Sequence, residues 1–251
     1  MIHQSLEVAP GVVLDARRAV WLAESRTLLI ADPHLGYAWA HRNSGNLLPL
    51  GRASDPLDRL AALAASYVCE RIVLLGDVVH DAVHVEPLEG ELQRLHRELG
   101  SIAEVILIAG NHDRRLRQLL DRLDIQIPFH REYQVGPHRF VHGDGAKPAA
   151  ARAELATAHD RGGFVVCGHE HPAITLSDRV ASYARCPCFV HGDGLLMLPA
   201  FSEWAAGNNL RSGDFLSPYL QVARLQSVTA IVAGKLLRID ARDMNGRRVK
   251  S

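Results

Sequence analysis

Apolar runs of strand length punctuate the first two thirds of the chain, at Thr27–Ala31, Arg71–Leu75, Glu104–Ala109, Arg139–Val141 and Phe164–Cys167. Runs with so little polar interruption predict strands covered on both faces. The stretches between them carry helical spacing instead. Asp55–Cys69 puts Leu57, Leu60, Leu63, Ala64 and Val68 on one stripe, with Asp55 placed to cap the helix ahead of Pro56. Leu88–Leu99 repeats that stripe at Leu88, Leu92, Leu95 and Leu99, and Arg115–Leu123 at Leu116, Leu119, Leu120 and Leu123. Beyond Gly168 the pattern turns to hairpins. Tyr183–Val190 and Leu195–Leu198 flank His191-Gly192-Asp193-Gly194, and Val228–Val232 and Lys235–Ile239 flank Ala233-Gly234. Helices outside, β layers inside and antiparallel strands added late make an α/β sandwich. The length of 251 residues suits one domain, 1–251, with Asp243–Ser251 as a loose basic tail.

Composition narrows this picture without redirecting it. The 47% apolar and 22% charged content is that of an ordinary globular chain. A formal charge of zero implies no broad basic face for nucleic acid, although a local one is compatible with it. No segment approaches the ~20 apolar residues of a membrane span. The opening Met1-Ile2-His3-Gln4-Ser5-Leu6 lacks the regions of a signal peptide. Cys69, Cys167, Cys186 and Cys188 form no disulfide framework. The cytoplasm is therefore the expected compartment.

The chemistry hangs from the ends of the apolar runs. In order these are Asp32-Pro33-His34, Gly76-Asp77, Gly110-Asn111-His112-Asp113, His142 and Gly168-His169-Glu170-His171. Ligands on α/β sheets gather where strands end. Two Asp, one Asn and four His can there enclose two divalent cations, leaving His112 for substrate. Residues two apart on extended backbone face the same side, so Asp32 with His34, and His169 with His171, can each face a metal pocket. Carboxylate mixed with imidazole, and no Cys, suits Mn²⁺, Fe or Zn²⁺ rather than Ca²⁺. Two such cations ~3.5–4 Å apart act on both the attacking and the leaving oxygen of a phosphoryl displacement, and a water they share is nucleophilic near neutral pH.

These motifs, from Ile30 to His171, resemble the calcineurin-like metallophosphoesterases, which carry D-x-H, G-D, G-N-H-[DE], H and G-H-x-H in this order. The resemblance implies a four-layer α/β/β/α sandwich with mixed β-sheets. It implies one cation on Asp32, His34, Asp77 and His171, and a second on Asn111, His142 and His169, with Asp77 bridging. Mn²⁺ leads the candidates, with Fe, Zn²⁺, Ni and Co behind it. His112 would be the general acid or transition-state ligand, its geometry held by Asp113. Within the superfamily the chain is similar to the bacterial ligase-associated DNA-damage-response phosphoesterases. The residues that carry this are Asp32-Pro33-His34-Leu35-Gly36, Gly45-Asn46-Leu47-Leu48-Pro49, Cys186-Pro187-Cys188-Phe189 and Leu198-Pro199-Ala200-Phe201. That likeness implies hydrolysis of phosphodiesters, DNA or RNA among them, and repair partners such as a DNA ligase, helicase or exonuclease. Rival readings are a phosphomonoesterase, a small-molecule or cyclic-nucleotide diesterase, and a non-catalytic scaffold. The walls that would separate the first two lie in Tyr37–Asp55 and Leu88–Gly100.

Several residues have blander readings. Val-His-Gly-Asp-Gly occurs twice, at Val141–Gly145 and Val190–Gly194, and only His142 falls in the family order. His80 can touch substrate phosphate or simply be a loop residue, and His41 and His84 read as surface. Cys186-Pro187-Cys188 has poor spacing for zinc and reads as strand. Arg114 is a candidate phosphate clamp. Arg115, Arg117 and Arg122 read as solvated helix residues near Asp121 and Asp124. Arg242, Arg247, Arg248 and Lys250 can grip a nucleic-acid backbone or belong to a loose end. Apolar residues in Trp204–Leu210 and Phe215–Leu220 can dock a partner or join the core. The oligomeric state is open.

Overall fold

The computed structural model describes residues 4–43, 45–46, 55–81, 86–177, 183–205 and 207–242. His84, Leu47-Leu48-Pro49 and the tail Asp243–Ser251 lie outside the described residues. The first sheet holds β1 (Ser5–Ala9), β2 (Val12–Asp15), β3 (Ala19–Leu22), β4 (Thr27–Ala31), β5 (Arg71–Leu75), β6 (Glu104–Ile108) and β7 (Phe129–His130), in that spatial order. β1 to β4 form an antiparallel meander, and β4 to β7 run parallel. Between these strands lie α1 (Tyr37–Asn43), α2 (Pro56–Ala64), α3 (Glu86–Arg94, continued by a π turn at Leu95–Leu99) and α4 (Leu116–Arg122).

The second sheet holds β8 (Glu132–Val135), β9 (His138–Val141), β10 (Val165–Cys167), β11 (Pro172–Ser177), β12 (Tyr183–Gly192), β13 (Leu195–Met197) and β14 (Asn208–Asn209). Their order is β14-β11-β12-β13-β10-β9-β8, and β15 (Leu225–Val232) pairs with β12 and β16 (Lys235–Asp240). The helices here are α5 (Pro148–Asp160) and α6 (Pro218–Val222). Among the described residues no helix is long and apolar enough to cross a membrane.

Alternation along each buried strand builds the layers. Leu28, Ile30, Ile72, Leu74 and Leu107 turn outward onto leucines of α2, α3 and α4. Their neighbours Leu29, Ala31, Val73, Leu75 and Ile106 turn inward and meet Phe140, Phe189, Val166 and Leu198 of the second sheet. That sheet's other face, with Val165, Cys188, Val190 and Met197, packs under Ala151, Leu155 and Ala158 of α5 and Tyr219 of α6. The result is the α/β/β/α sandwich. Phe140 and Phe189 are fully buried between the sheets, where truncation to alanine costs about 3–5 kcal/mol.

Three expectations need correction. Antiparallel strands also open the chain, in the β1–β4 meander. α2 stops at Ala64 rather than reaching Cys69, and Val68 is 71% exposed. Tyr67 is drawn away from the helix, stacking on Trp21 at 4.8 Å and donating its hydroxyl to Asp15 Oδ2 at 2.7 Å. β12 runs through His191-Gly192, so the turn is only Asp193-Gly194. By contrast Asp55 caps α2 as expected, accepting from the Leu57 N–H at 2.8 Å. Leu210, Tyr219 and Leu220 from the two candidate docking stretches are core, whereas Leu216 is exposed.

Candidate metal centre

Because β4, β5 and β6 are parallel, Asp32, Asp77 and Asn111 emerge on one edge of the first sheet. β9 and β10 are likewise parallel and deliver His142 and the Gly168–His171 turn. The Phe201 N–H donates to the Ala31 carbonyl at 2.7 Å and the Leu198 N–H to the Cys167 carbonyl at 2.8 Å, tying the two edges together.

Among the described residues the side chains then form three donor groups: His34, His80 and His112 make one, and the expected ligands make the other two. Asp32, His34, Asp77 and His171 each bring one ligand atom within 4.8 Å of the others, as do Asp77, His142 and His169. Asp77 belongs to both groups. Asn111 Oδ1 joins the second, 3.1 Å from His142 Nε2. The spacing argument, in which each i,i+2 pair serves one pocket, fails: His169 and His171 go to different groups. Extended backbone is not the device either. Asp32 (φ 52°), His34 (φ 47°), Asp77 (φ 44°), His169 (φ 67°) and His171 (φ 48°) are all left-handed. Backbone strain of this kind collects at functional sites. Two glycines make the convergence sterically feasible. A Cβ on Gly76 would stand 2.1 Å from His142 Nδ1, and one on Gly168 would stand 2.3 Å from Asp32 Oδ2.

The donor set fits cations. Asp32 is fully buried; its Oδ1 has no hydrogen-bond partner among the described residues, with His142 Nδ1 and His171 Nε2 at 3.5 and 3.6 Å, while its Oδ2 accepts from the His169 N–H at 3.0 Å. A buried carboxylate oxygen left so is costly unless a positive charge faces it. His142 Nε2 lies 3.2 Å from His169 Nδ1 and 3.5 Å from Asp77 Oδ2, and His34 Nε2 lies 3.3 Å from His171 Nε2. Lone pairs crowded in this way need something electropositive between them. His142 Nδ1 sits 3.2 Å from the Leu75 carbonyl, to which only an N–H can donate, so Nε2 is the free donor to a cation.

Electrostatics act differently on the individual donors. Burial lowers His34 to about 4 despite Asp32 and Asp77, so its imidazole is neutral. Burial opposes ionisation of Asp77, but hydrogen bonding and charge from His142 and the His112 N–H hold it well below the usual carboxylate range. Burial likewise opposes a charged His142, yet Asp77 and Asp32 raise it to about 9.

His112 is the exposed member, with its Nε2 3.9 Å from Asp77 Oδ2. The His-Asp pairing anticipated for Asp113 is not what the structure shows. His112 Nδ1 is held by the His80 carbonyl at 2.6 Å. Asp113 instead accepts from the backbone N–H groups of Gly110 (2.8 Å), Val78 and Val79 (both 3.2 Å), stapling the Gly76 and Gly110 loops together. Burial raises it to about 6 against those hydrogen bonds.

Of the remaining candidates, His80 stands with His34 and His112, and the others are scattered. The His80 ring stacks 5.4 Å from His112 and lies tilted 4.4 Å from Tyr37, and its Nδ1 is buried without a hydrogen-bond partner among the described residues. His41 is half-buried against Tyr37 rather than free on the surface. Arg114 is exposed near Asn111. His191 takes no part. All four cysteines are free thiols, and Cys186 and Cys188 are buried strand residues. Two contributors went unnoticed in the sequence. Glu170 is buried and accepts from the Leu216 and Ser217 N–H groups, both at 2.8 Å, bracing the turn between His169 and His171. Its place between two ligand candidates was the available signal. Gly76 looked like half of a two-residue motif, yet it supplies the seat for the His142 ring.

Comparison with known proteins agrees. The calcineurin-like phosphoesterase superfamily domain matches residues 26–186. The crystal structure of Pseudomonas putida nuclease MPE is similar in fold, with a TM-score of 0.66 and 24% identity over 95% of this chain and 100% of that one. A single mutant of Vps29 from Entamoeba histolytica aligns at a TM-score of 0.36 and 14% identity, over 85% of this chain and 98% of that one. No curated protein matches. A domain match over more than half of the chain, on a sandwich of this layering, means that the chain belongs to the calcineurin-like phosphoesterase superfamily.

Proposed function

We propose that this metal-dependent phosphoesterase hydrolyses phosphodiester bonds in nucleic acid. The observation that carries the reading is the single carboxylate, Asp77, common to two donor groups. Asp32, His34, Asp77 and His171 would hold one divalent cation, and Asp77, Asn111, His142 and His169 a second, with manganese the first candidate. When bound, such a pair supplies Lewis acidity to phosphoryl oxygens and acidifies a water to near neutrality. No Ser or Cys nucleophile is then required.

The chain's own residues do the rest. His112 Nδ1 donates to the His80 carbonyl, which leaves Nε2 facing the substrate side of Asp77. Protonated there, His112 gives its proton to the departing ester oxygen, a contribution of about 10²–10⁴ in rate. Asp113 acts as a positioning residue, keeping the two loops in register. Nucleic acid as substrate is supported by the fold shared with a protein named a nuclease. DNA repair beside a ligase, helicase or exonuclease is the setting the family resemblance suggests. The intact donor set argues against a scaffold.

The test is hydrolysis of bis(p-nitrophenyl) phosphate and of an oligonucleotide with Mn²⁺, beside metal analysis. His112→Ala should lose ~10²-fold or more in turnover with metal content unchanged. Asp77→Asn should lose both metal and activity. Wild-type rates in both variants would refute the mechanism, and a preference for monoesters would refute the substrate class.

A further inference from the structure

Beside Asn111 and His142 the surface opens into a cleft of about 750 Å³. Pockets on the order of 300–1,000 Å³ accept a drug-sized ligand, so this space exceeds what the reacting diester occupies. Four arginines line it: Arg114 after β6, Arg117 on α4, Arg131 between β7 and β8, and Arg139 on β9. Arg139 is neutralised by Glu132 and by Glu154 at 3.0 Å. The Asp113 carboxylate in the wall is covered by its three backbone donors. The lining therefore holds four arginines against four carboxylates; with Glu132 and Glu154 gathered on Arg139 and Asp113 covered, Arg114, Arg117 and Arg131 face Asp144.

These three guanidinium groups are not equivalent. Arg117 is anchored, donating to the Phe129 carbonyl at 3.0 Å with its guanidinium 4.9 Å from that ring's centre. Arg114 and Arg131 are exposed and make no ion pair among the described residues. Unpaired cations around a concave wall focus positive potential into it. Rings are interleaved with them: Phe129 and His130 line the cleft, and His130 packs 5.5 Å from Tyr133. Arginines alternating with rings are how proteins track a nucleic-acid strand, by gripping phosphates and stacking bases. A lone diester or cyclic nucleotide carries one phosphate and would leave these charges unused.

Resting on the phosphodiesterase reading, we infer that this cleft is a second nucleic-acid site, which holds the phosphates flanking the scissile bond on Arg114 and Arg131. It gives a use to two arginines that stand without an ion pair among the described residues beside the donor groups. Arg117, expected as a solvated helix residue, is exposed on α4 and in addition anchored on Phe129.

The test is fluorescence anisotropy of a labelled twelve-residue oligothymidylate on the full chain in EDTA, where no cleavage intrudes. Arg114→Ala/Arg131→Ala should weaken binding about tenfold and lower the magnitude of the log K against log [salt] slope by ~1.4, or ~0.7 per lost phosphate contact. Arg114→Lys/Arg131→Lys should restore most of that slope, and Arg211→Ala, outside the cleft, should change nothing. Unchanged affinity and slope in the double alanine variant would overturn the inference. Equal affinity for inorganic polyphosphate of matched charge would overturn its assignment to nucleic acid. Hydrolysis of bis(p-nitrophenyl) phosphate by the wild type is scored separately. Its absence sinks the catalytic reading whatever the anisotropy shows, and its presence with insensitive binding sinks only the cleft.

Discussion

The pentapeptide Val-His-Gly-Asp-Gly occupies two places in this molecule and has two fates. At Val141–Gly145 it follows β9, and its histidine is 2% exposed among Asn111, His169 and Asp77. At Val190–Gly194 it ends β12, and its histidine is half-buried, its ring edge-on to Phe164 at 5.3 Å. The difference is strand direction. β9 is parallel to β10 and β10 to β13, but β12 is antiparallel to β13. The ends of β9 and β12 therefore leave the sheet at opposite edges, and it is the β9 end that meets Asp32 and Asp77 of the neighbouring sheet. Proton affinity follows placement. His142 is raised to about 9 by Asp77 and Asp32 against its own burial. His191 is lowered by burial and by Arg238, against Asp193. A ligand candidate is thus made by topology and not by the five residues around it.

The comparison is broken most directly by matched substitutions. His142→Ala should cut phosphodiester turnover on the order of 100-fold or more and lower bound metal, whereas His191→Ala should stay within about twofold in activity. Equal damage from both, in rate assays with metal analysis, would show that the second copy also serves the site. The glycines sharpen it next. A Cβ at Gly145 meets nothing within 4 Å, but at Gly194 (φ +69°) it would stand 2.0 Å from the Leu155 carbonyl oxygen. Gly194→Ala should therefore cost about 2 kcal/mol or more in urea unfolding, and Gly145→Ala almost nothing.

The smallest effect is in pH. His191 has a folded pKa below its ordinary 6.5, so the unfolded chain takes up the proton first as pH falls. Its contribution to stability is complete above pH 6.5 and declines below it. Urea midpoints measured from about pH 7 to 5 should fall less in His191→Leu than in the wild type. Parallel curves would mean that His191 is not protected from protonation in the fold.

The donors were legible because each follows an apolar run whose reading as a strand needs only hydropathy. Asp55, as a cap before Pro56, was legible for an equally local reason. α5 was not read, because its buried stripe is only Ala151, Leu155 and Ala158, too faint against an alanine-rich background. The β1–β3 meander was missed because its strands are short. The left-handed turns at Asp32, His34 and His171 leave no trace in hydropathy. Two of the three partners of Asp113 are backbone groups from a loop more than thirty residues away, which no spacing rule encodes. Arg131 was invisible for a similar reason: its neighbours in the cleft come from residues 109–117, from residues 139–146, and from Glu154 and Tyr219.

Positive φ at five donor positions restricts the mutational alphabet of the centre. Asp, Asn and His enter that backbone region far more readily than most side chains, so exchanges among them alter charge while sparing the bend. Cysteine, the obvious choice for retuning such a site toward softer metals, lacks that tolerance and meets about 1–2 kcal/mol of backbone cost at each position. Engineering of metal preference is therefore better directed at Asn111 and His142, the two ligand candidates free of this constraint.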